Sequence, residues 1–157
     1  MIYRKAQPGD YLQLAEMKWL HCQEDDADFG ENNLAGADRE TFLADFAAFL
    51  ERNGTYSIYC ACDGQRIASA MFAALIPKVP KPGRRAASIA YLTNVYTRKE
   101  YRSQGVGTAL LGYIQNQLRA QDCELIFVWP SEKSVAWYRR NGFLQENEMM
   151  ECPLEPE

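Results

Sequence analysis

Apolar positions recur along this chain with two periods, close to two and close to 3.6, and their changes mark its elements. Residues 2–6 alternate as a short strand, and Pro8-Gly9-Asp10 interrupt it. Asp10, a residue type favoured at helix starts, precedes a helical run over 11–21. There Leu12, Leu14, Ala15, Met17, Trp19 and Leu20 give a broad apolar surface. Residues 23–33 lose the periodicity and carry Glu24, Asp25, Asp26, Asp28 and Glu31, which predicts an acidic loop. Asp38 opens a second helical run over 39–52. Phe42, Leu43, Phe46, Phe49 and Leu50 form its stripe, and Asn53-Gly54 stop it.

Residues 56–62 predict a strand, Asp63-Gly64 a two-residue hairpin turn, and 65–76 the return strand. The loop 77–85 holds Pro77, Pro80 and Pro82 with Lys78, Lys81, Arg84 and Arg85. A strand cannot carry those prolines internally; a solvated hairpin tip and a contact for an acidic partner both stay open. A strand over 86–97 leads into Tyr101-Arg102-Ser103-Gln104-Gly105-Val106-Gly107-Thr108, and a helical run over 109–120 follows. Residues 124–129 make a compact strand whose unbroken apolar run predicts burial on both faces. Ser131 as N-cap and Glu132 open a helix to about 140, and Asn141-Gly142 end it. Residues 143–152 predict a last strand, broken around Glu146-Asn147, and Pro153 and Pro156 mark a loose tail.

Composition narrows the class. With 157 residues and 47% hydrophobic content, one globular domain over 1–157 is expected. A net charge of -4 argues against a nucleic-acid surface. No run reaches the ~18 apolar residues a membrane span needs, and residues 1–5 lead into no signal-peptide core. Cys22, Cys60, Cys62, Cys123 and Cys152 form no C-x-x-C pair, so reduced thiols and a cytoplasmic compartment are expected. His21 is the one histidine, which makes a histidine-based metal site implausible; no metal is expected.

The chemistry concentrates where a strand meets a helix through a basic, Gly-rich turn. The first N–H groups of a helix lack internal partners and carry the positive end of its dipole. Gly105 and Gly107 let a bulky anion approach the backbone, and Arg102 adds charge. These residues read as a pyrophosphate cradle. A Walker A loop is excluded, because Thr108 follows Gly107 with no Lys between. A Rossmann fingerprint needs Gly or Ala where Leu110 stands, and an acid where Phe127 and Val128 lie.

The remaining R-x-x-G-x-G resembles motif A of the Gcn5-related N-acetyltransferase superfamily, whose loop binds the coenzyme A pyrophosphate. A second stretch resembles motif B of that superfamily, which commonly reads N-x-x-A-x-x-x-Y-x-x-x-G-F. Tyr138, Gly142 and Phe143 match it, while Ser131 and Ser134 replace its Asn and Ala. The element order β-α-α-β-β-β-α-β-α-β agrees as well. The resemblance is strong from Tyr91 to Phe143 and weaker before. It implies the acyl-CoA N-acyltransferase fold, a mixed α/β and mostly antiparallel sheet with a splayed parallel strand pair and flanking helices.

From the resemblance, the strand over 86–97 is expected to part from that over 124–129. Asn94, Val95, Tyr96 and Thr97 would then offer free backbone groups to the pantetheine arm. Val95 N–H would face the thioester oxygen. Arg102, Ser103, Gln104, Gly105, Val106, Gly107, Thr108, Ser131, Ser134 and Tyr138 complete the expected cofactor contacts. Tyr138 would donate to the leaving thiolate. Glu24, Asp25 and Asp26 would border the acceptor, across the cleft from the phosphate loop. A base among these or His21 stays open.

The implied reaction moves acetyl from acetyl-CoA, a co-substrate, directly to a primary amine in a ternary complex. A small cationic amine suits the acidic segment. The alternative is a non-catalytic acyl-CoA-binding sensor, and a covalent acetyl-cysteine route is set aside. The partner expected is a small-molecule or peptide amine, with neither nucleic acid nor membrane; a homodimer stays open.

Overall fold

The computed structural model describes residues 1–84, 87–145 and 149–154. Its centre is a sheet in the order β1 (Ile2–Lys5), β2 (Tyr56–Asp63), β3 (Arg66–Pro77), β4 (Ser88–Thr97), β5 (Cys123–Phe127). Neighbours pair antiparallel except β4 and β5, which run parallel. The helices are α1 (Tyr11–Phe29), α2 (Arg39–Glu51), α3 (Val106–Arg119) and α4 (Val135–Arg140). This is the predicted mixed architecture. Among the described residues, no helix is long and apolar enough to cross a membrane.

Strand alternation divides the interior in two. Tyr59 and Ala61 of β2 face a core with Val106, Leu110, Leu111, Ile114 and Leu118 of α3 and Tyr138 of α4. Their neighbours Ile58, Cys60 and Cys62 face the other core, with Leu14 and Met17 of α1 and Leu50 of α2. The sheet is thus a wall between two helical layers, and each helix sits where its apolar stripe can be buried.

Several elements differ from expectation. The predicted acidic loop is helical to Phe29, because no Gly or Pro interrupts α1 before Gly30, which ends it at φ +67°. Asp10 does not cap α1 with its side chain. Its carboxylate accepts from Gln7 N–H at 2.7 Å and from Arg4 Nη1 and Nη2 at 2.6 and 3.0 Å, closing the 3-10 turn before the helix. The hairpin turn is Gly64-Gln65, since Asp63 still pairs with Arg66. Helix α3 begins at Val106, three residues before the predicted start.

Strand β5 is not buried on both faces. It ends the sheet, and while Ile126 packs toward α3, alternate Leu125 is 51% exposed. Ser131 makes no side-chain cap bond; its Oγ donates to Ser134 Oγ at 3.1 Å. The strand predicted over 143–152 is not found among its described residues. Phe143 N–H donates to Tyr138 O at 3.1 Å and its ring packs on Tyr138, which turns the chain back onto α4. Arg85, Ala86, Glu146, Asn147 and Pro156 lie outside the described residues.

The Asp10 carboxylate is held below its ordinary value chiefly by the Arg4 hydrogen bond, against the cost of burial. A depressed carboxylate stabilises the fold above its unfolded pKa, and that stability is lost as pH falls through the folded one. Asp10→Asn should therefore cost about 1–3 kcal/mol at pH 7. In urea melts the gap to wild type should hold down to about pH 5 and narrow below the ordinary ~3.9. A gap that does not vary with pH would contradict this account.

Candidate active site

Strands β4 and β5 pair from Ser88 opposite Cys123 to Tyr91 opposite Phe127, and no further. Beyond that point they part around a cleft of about 670 Å³. Its walls are Tyr91 to Val95 from β4, Val128 to Glu132 after β5, Ser134, Trp137 and Tyr138, and Lys18, His21, Asp25 and Phe29 of α1. Opposite β3, strand β4 carries one extra residue: Thr93 pairs with Phe72 and Tyr96 with Ala70, leaving Asn94 and Val95 across from Met71. Asn94 absorbs this bulge at φ +49°, a region asparagine tolerates better than most. Its Oδ1 is buried without a hydrogen-bond partner, and the residue is part of the cleft wall.

Of the four β4 residues expected to offer free backbone, Asn94 and Val95 line the cleft. Tyr96 and Thr97 do not, and their carbonyls are engaged: Ser69 Oγ donates to Tyr96 O at 3.1 Å and Arg102 Nε to Thr97 O at 2.8 Å.

The phosphate-type loop follows β4. Gly105 takes φ +77°, and a methyl there would meet open space. No side chain caps α3, so the N–H groups of its first turn are left to an outside partner. Gly107 differs: a methyl there would lie 3.1 Å from Thr97 Oγ1 and 3.6 Å from Trp137 Cζ2. Val106 is buried in the core, Thr108 Oγ1 accepts from Trp137 Nε1 at 3.2 Å, and Gln104 Nε2 donates to Glu100 O at 2.7 Å. Ser103 is held at φ +58°. These loop residues thus join α3 to β4 and α4.

Glu24 does not sit across the cleft from Arg102. Its Oε2 lies 2.7 Å from Arg102 Nη2, and its Oε1 accepts from Tyr96 Oη at 2.8 Å. The guanidinium lies 5.3 Å over the Tyr96 ring. The reason is the unbroken helix, which carries Glu24 back over β4. Asp26 is occupied elsewhere: it accepts from Asn33 N–H and Nδ2 and from Leu34 N–H, which closes the turn after α1. Of the three acidic residues, only Asp25 lines the cleft.

Tyr138 projects from α4 between Trp137 and Phe143, with ring centroids at 4.9 and 5.1 Å. Burial pushes its phenol up to about 12, so it is protonated at neutral pH. Across the cleft, Lys18, His21, Asp25 and Phe29 follow one another by three, four and four residues, one face of a helix. The sequence signal for this face was the lack of any Gly or Pro between His21 and Gly30. His21 stacks on Tyr96 at 5.2 Å, and its Nε2 lies 3.5 Å from Asp25 Oδ2. Cys22 is adjacent in sequence but does not line the cleft, as helix neighbours point apart; burial also raises its thiol pKa.

Comparison with known proteins bears on this arrangement. The model of the acetyltransferase (GNAT) family matches residues 15–143. A glucosamine 6-phosphate N-acetyltransferase from Trypanosoma brucei brucei is 26% identical over 113 residues, 71% of this chain and 75% of that protein. A predicted acetyltransferase with acetyl-CoA from Clostridium acetobutylicum superposes at TM-score 0.71, 23% identical, over 98% of this chain and 96% of that one. A GCN5-related N-acetyltransferase from Ralstonia eutropha gives 0.71 at 18% identity over 97% of each chain. These structures share the fold.

The two glycines should respond differently in urea melts. Gly105→Ala is strained by backbone conformation and should lose about 1–2 kcal/mol, much of it recovered in Gly105→Asn. At Gly107 the constraint is space, so Gly107→Ala should lose about 1–3 kcal/mol and Gly107→Asn more. Recovery by Asn at both positions, or at neither, would refute the distinction.

Proposed function

The chain belongs to the acetyltransferase (GNAT) family, and from that premise we propose that it transfers acetyl from acetyl-CoA directly to a small cationic primary amine. The observation that carries this reading is the parting of β4 from β5 onto a cleft bordered by Val95 and Tyr138. The residues present fit the co-substrate. Gly105 opens the uncapped start of α3 to an anion, and the unpartnered Asn94 Oδ1 suits an arm rich in amide N–H groups.

Bound acetyl-CoA would supply an activated thioester. The backbone from Ser103 to Thr108 would hold its phosphates, helped by the dipole of α3. Arg102 adds charge there but shares it with Glu24. Ser131 and Ser134 would border the cofactor on the α4 side. Val95 N–H would donate to the carbonyl oxygen as charge builds on it. Tyr138 would donate a hydrogen bond to the departing sulfur. At about 12, its phenol lies roughly 3–4 units above a free thiol's ~8.5, so it keeps its own proton for most of that step. Among the described residues lining the cleft none is a cysteine, which favours direct transfer.

Charge favours the acceptor class. Among the described residues lining the cleft, Asp25, Glu31 and Glu132 stand against one lysine or arginine, Lys18, beside Phe29, Trp129 and Trp137. A second positive group would be attracted here, whereas the phosphate of a sugar like that named for the trypanosomal relative would meet three carboxylates.

Release of free thiol from acetyl-CoA should be followed with spermidine, tyramine, 2-phenylethylamine and glucosamine 6-phosphate. Spermidine should show the highest kcat/KM, with the advantage reduced by salt and by Asp25→Asn; a preference for the sugar phosphate would overturn the acceptor class. Acetyl-CoA binding without turnover on any amine would favour the sensor reading. Tyr138→Phe should lower kcat by about 10–10²-fold and leave acetyl-CoA affinity unchanged. Equal turnover across pH would reduce Tyr138 to a packing residue.

A further inference from the structure

We propose that His21 is the base that receives the acceptor amine's proton and that Asp25 holds the resulting imidazolium; this rests on the acetyl-transfer reading above. Position supports it first. The imidazole lines the cleft and stacks on Tyr96, the residue after Val95, whose N–H is assigned to the reacting carbonyl. The ring therefore stands beside the place where the amine must attack. Nδ1 is buried without a hydrogen-bond partner, while the side chain as a whole remains 24% exposed. The end that meets the cleft is therefore Nε2, 3.5 Å from Asp25 Oδ2.

The other candidates are weaker bases or are engaged. Both Glu24 oxygens are in use, on Arg102 and on Tyr96 Oη. Asp26 is committed to the turn after α1. Carboxylates as a class are weaker bases than imidazole, ~3.9 against ~6.5, and hold a proton several hundred times less well.

The groups facing the imidazole are Lys18, Glu24 and Asp25 on α1, Tyr96 on β4 and Arg102 in the loop. Glu31, Glu132 and Tyr138 line the same cleft. Burial and then Lys18 hold the imidazole below its ordinary 6.5, with Arg102 acting the same way and Asp25 and Glu24 opposing. It is neutral at pH 7, and the tautomer that serves as base carries its proton on Nδ1 and its lone pair on Nε2. The amine is in the opposite state: near lysine's ~10.4, only roughly one molecule in 10³ is unprotonated at pH 7.

The step balances without a further reagent. Nε2 takes one proton from the ammonium nitrogen, and the freed lone pair attacks the thioester carbonyl carbon. The C–N bond forms and the C–S bond breaks. A second N–H proton ends on the sulfur, and His21 returns its proton to water. One proton is released per turnover.

The pH profile separates this role from a structural one. With spermidine, or whichever panel amine turns over best, wild-type kcat/KM should rise below pH 6.5 and then stay level to the amine pKa. His21→Gln must wait for free amine, so its kcat/KM should climb tenfold per pH unit across that range. The deficit should be about 10³-fold at pH 7 and fall within tenfold near pH 9, with acetyl-CoA affinity and thermal stability unchanged. Asp25→Asn should move the acidic limb to lower pH. The chain has one histidine, so its imidazole C–H resonance should titrate with the same midpoint as that limb. A deficit constant in pH, or no deficit, would overturn the assignment of His21 alone. A wild-type chain that acetylates no amine would overturn the acetyl-transfer reading and this inference with it.

Discussion

The molecule depends on a pairing that stops early. Parallel strands β4 and β5 share a ladder only from Ser88 to Tyr91, and the cleft opens beyond its end. Two local features end the ladder. The bulge at Asn94 and Val95 bends β4, and Pro130, past the end of β5, has no N–H to add. Backbone groups exposed by such a parting need partners. Inside the chain Arg102 Nε supplies one of them, at the Thr97 carbonyl. Asn94 and Val95 are left at the cleft, where an amide-bearing ligand can serve.

The same parting sets the neighbours. A methyl on Gly107 would lie 3.1 Å from Thr97 Oγ1, so the start of α3 stands against the end of β4. Tyr138 belongs to α4 and to the α3-side core, while His21 and Asp25 belong to α1 on the other face of the sheet. The cleft is the place where these two layers, elsewhere separated by the sheet, can address one substrate from opposite sides.

Much of this was legible in residue patterns. The strand–loop–helix at 88–119, the two apolar periods and the Tyr138-Gly142-Phe143 spacing are local, and local signals survive in a single sequence. What failed was of two kinds. Residues 23–33 read as a loop by their acidity and lost apolar period, yet polarity does not break a helix; Gly and Pro do, and the first of these after α1 begins is Gly30. That error hid the face bearing His21, Asp25 and Phe29. The second kind is tertiary. Nothing local announces that Glu24 will meet Tyr96, 72 residues away, or that Asp10 will turn toward Arg4 instead of capping α1. The exposure of Leu125 likewise follows from β5 being last in the sheet, a fact of strand order and not of composition.

Helix α1 is held differently along its length, and this matters for the site. Its first half is anchored by burial: Leu14, Ala15 and Met17 are 2%, 0% and 2% exposed. Its second half, which forms the proposed acceptor wall, is tied through polar and ring contacts to Tyr96 and through ion pairs, Glu24 to Arg102 at 2.7 Å and Asp28 to Lys133 at 2.9 Å. Asp28 and Lys133 are 47% and 60% exposed, and Arg102 is 40% exposed against 19% for Glu24, so the first pair is the more solvated. Pairs so solvated contribute about 0–1 kcal/mol each, against about 1.5–3 kcal/mol for a fully buried apolar side chain. The wall carrying His21 and Asp25 is therefore the part of α1 with the least to lose on opening, and segments that admit ligands are drawn from such regions. Both ion pairs run to the elements that flank the cofactor side, the phosphate loop and the turn before α4. The position of the acceptor wall is thus set by those elements at small energetic cost, while the core-anchored half keeps the helix from leaving the sheet.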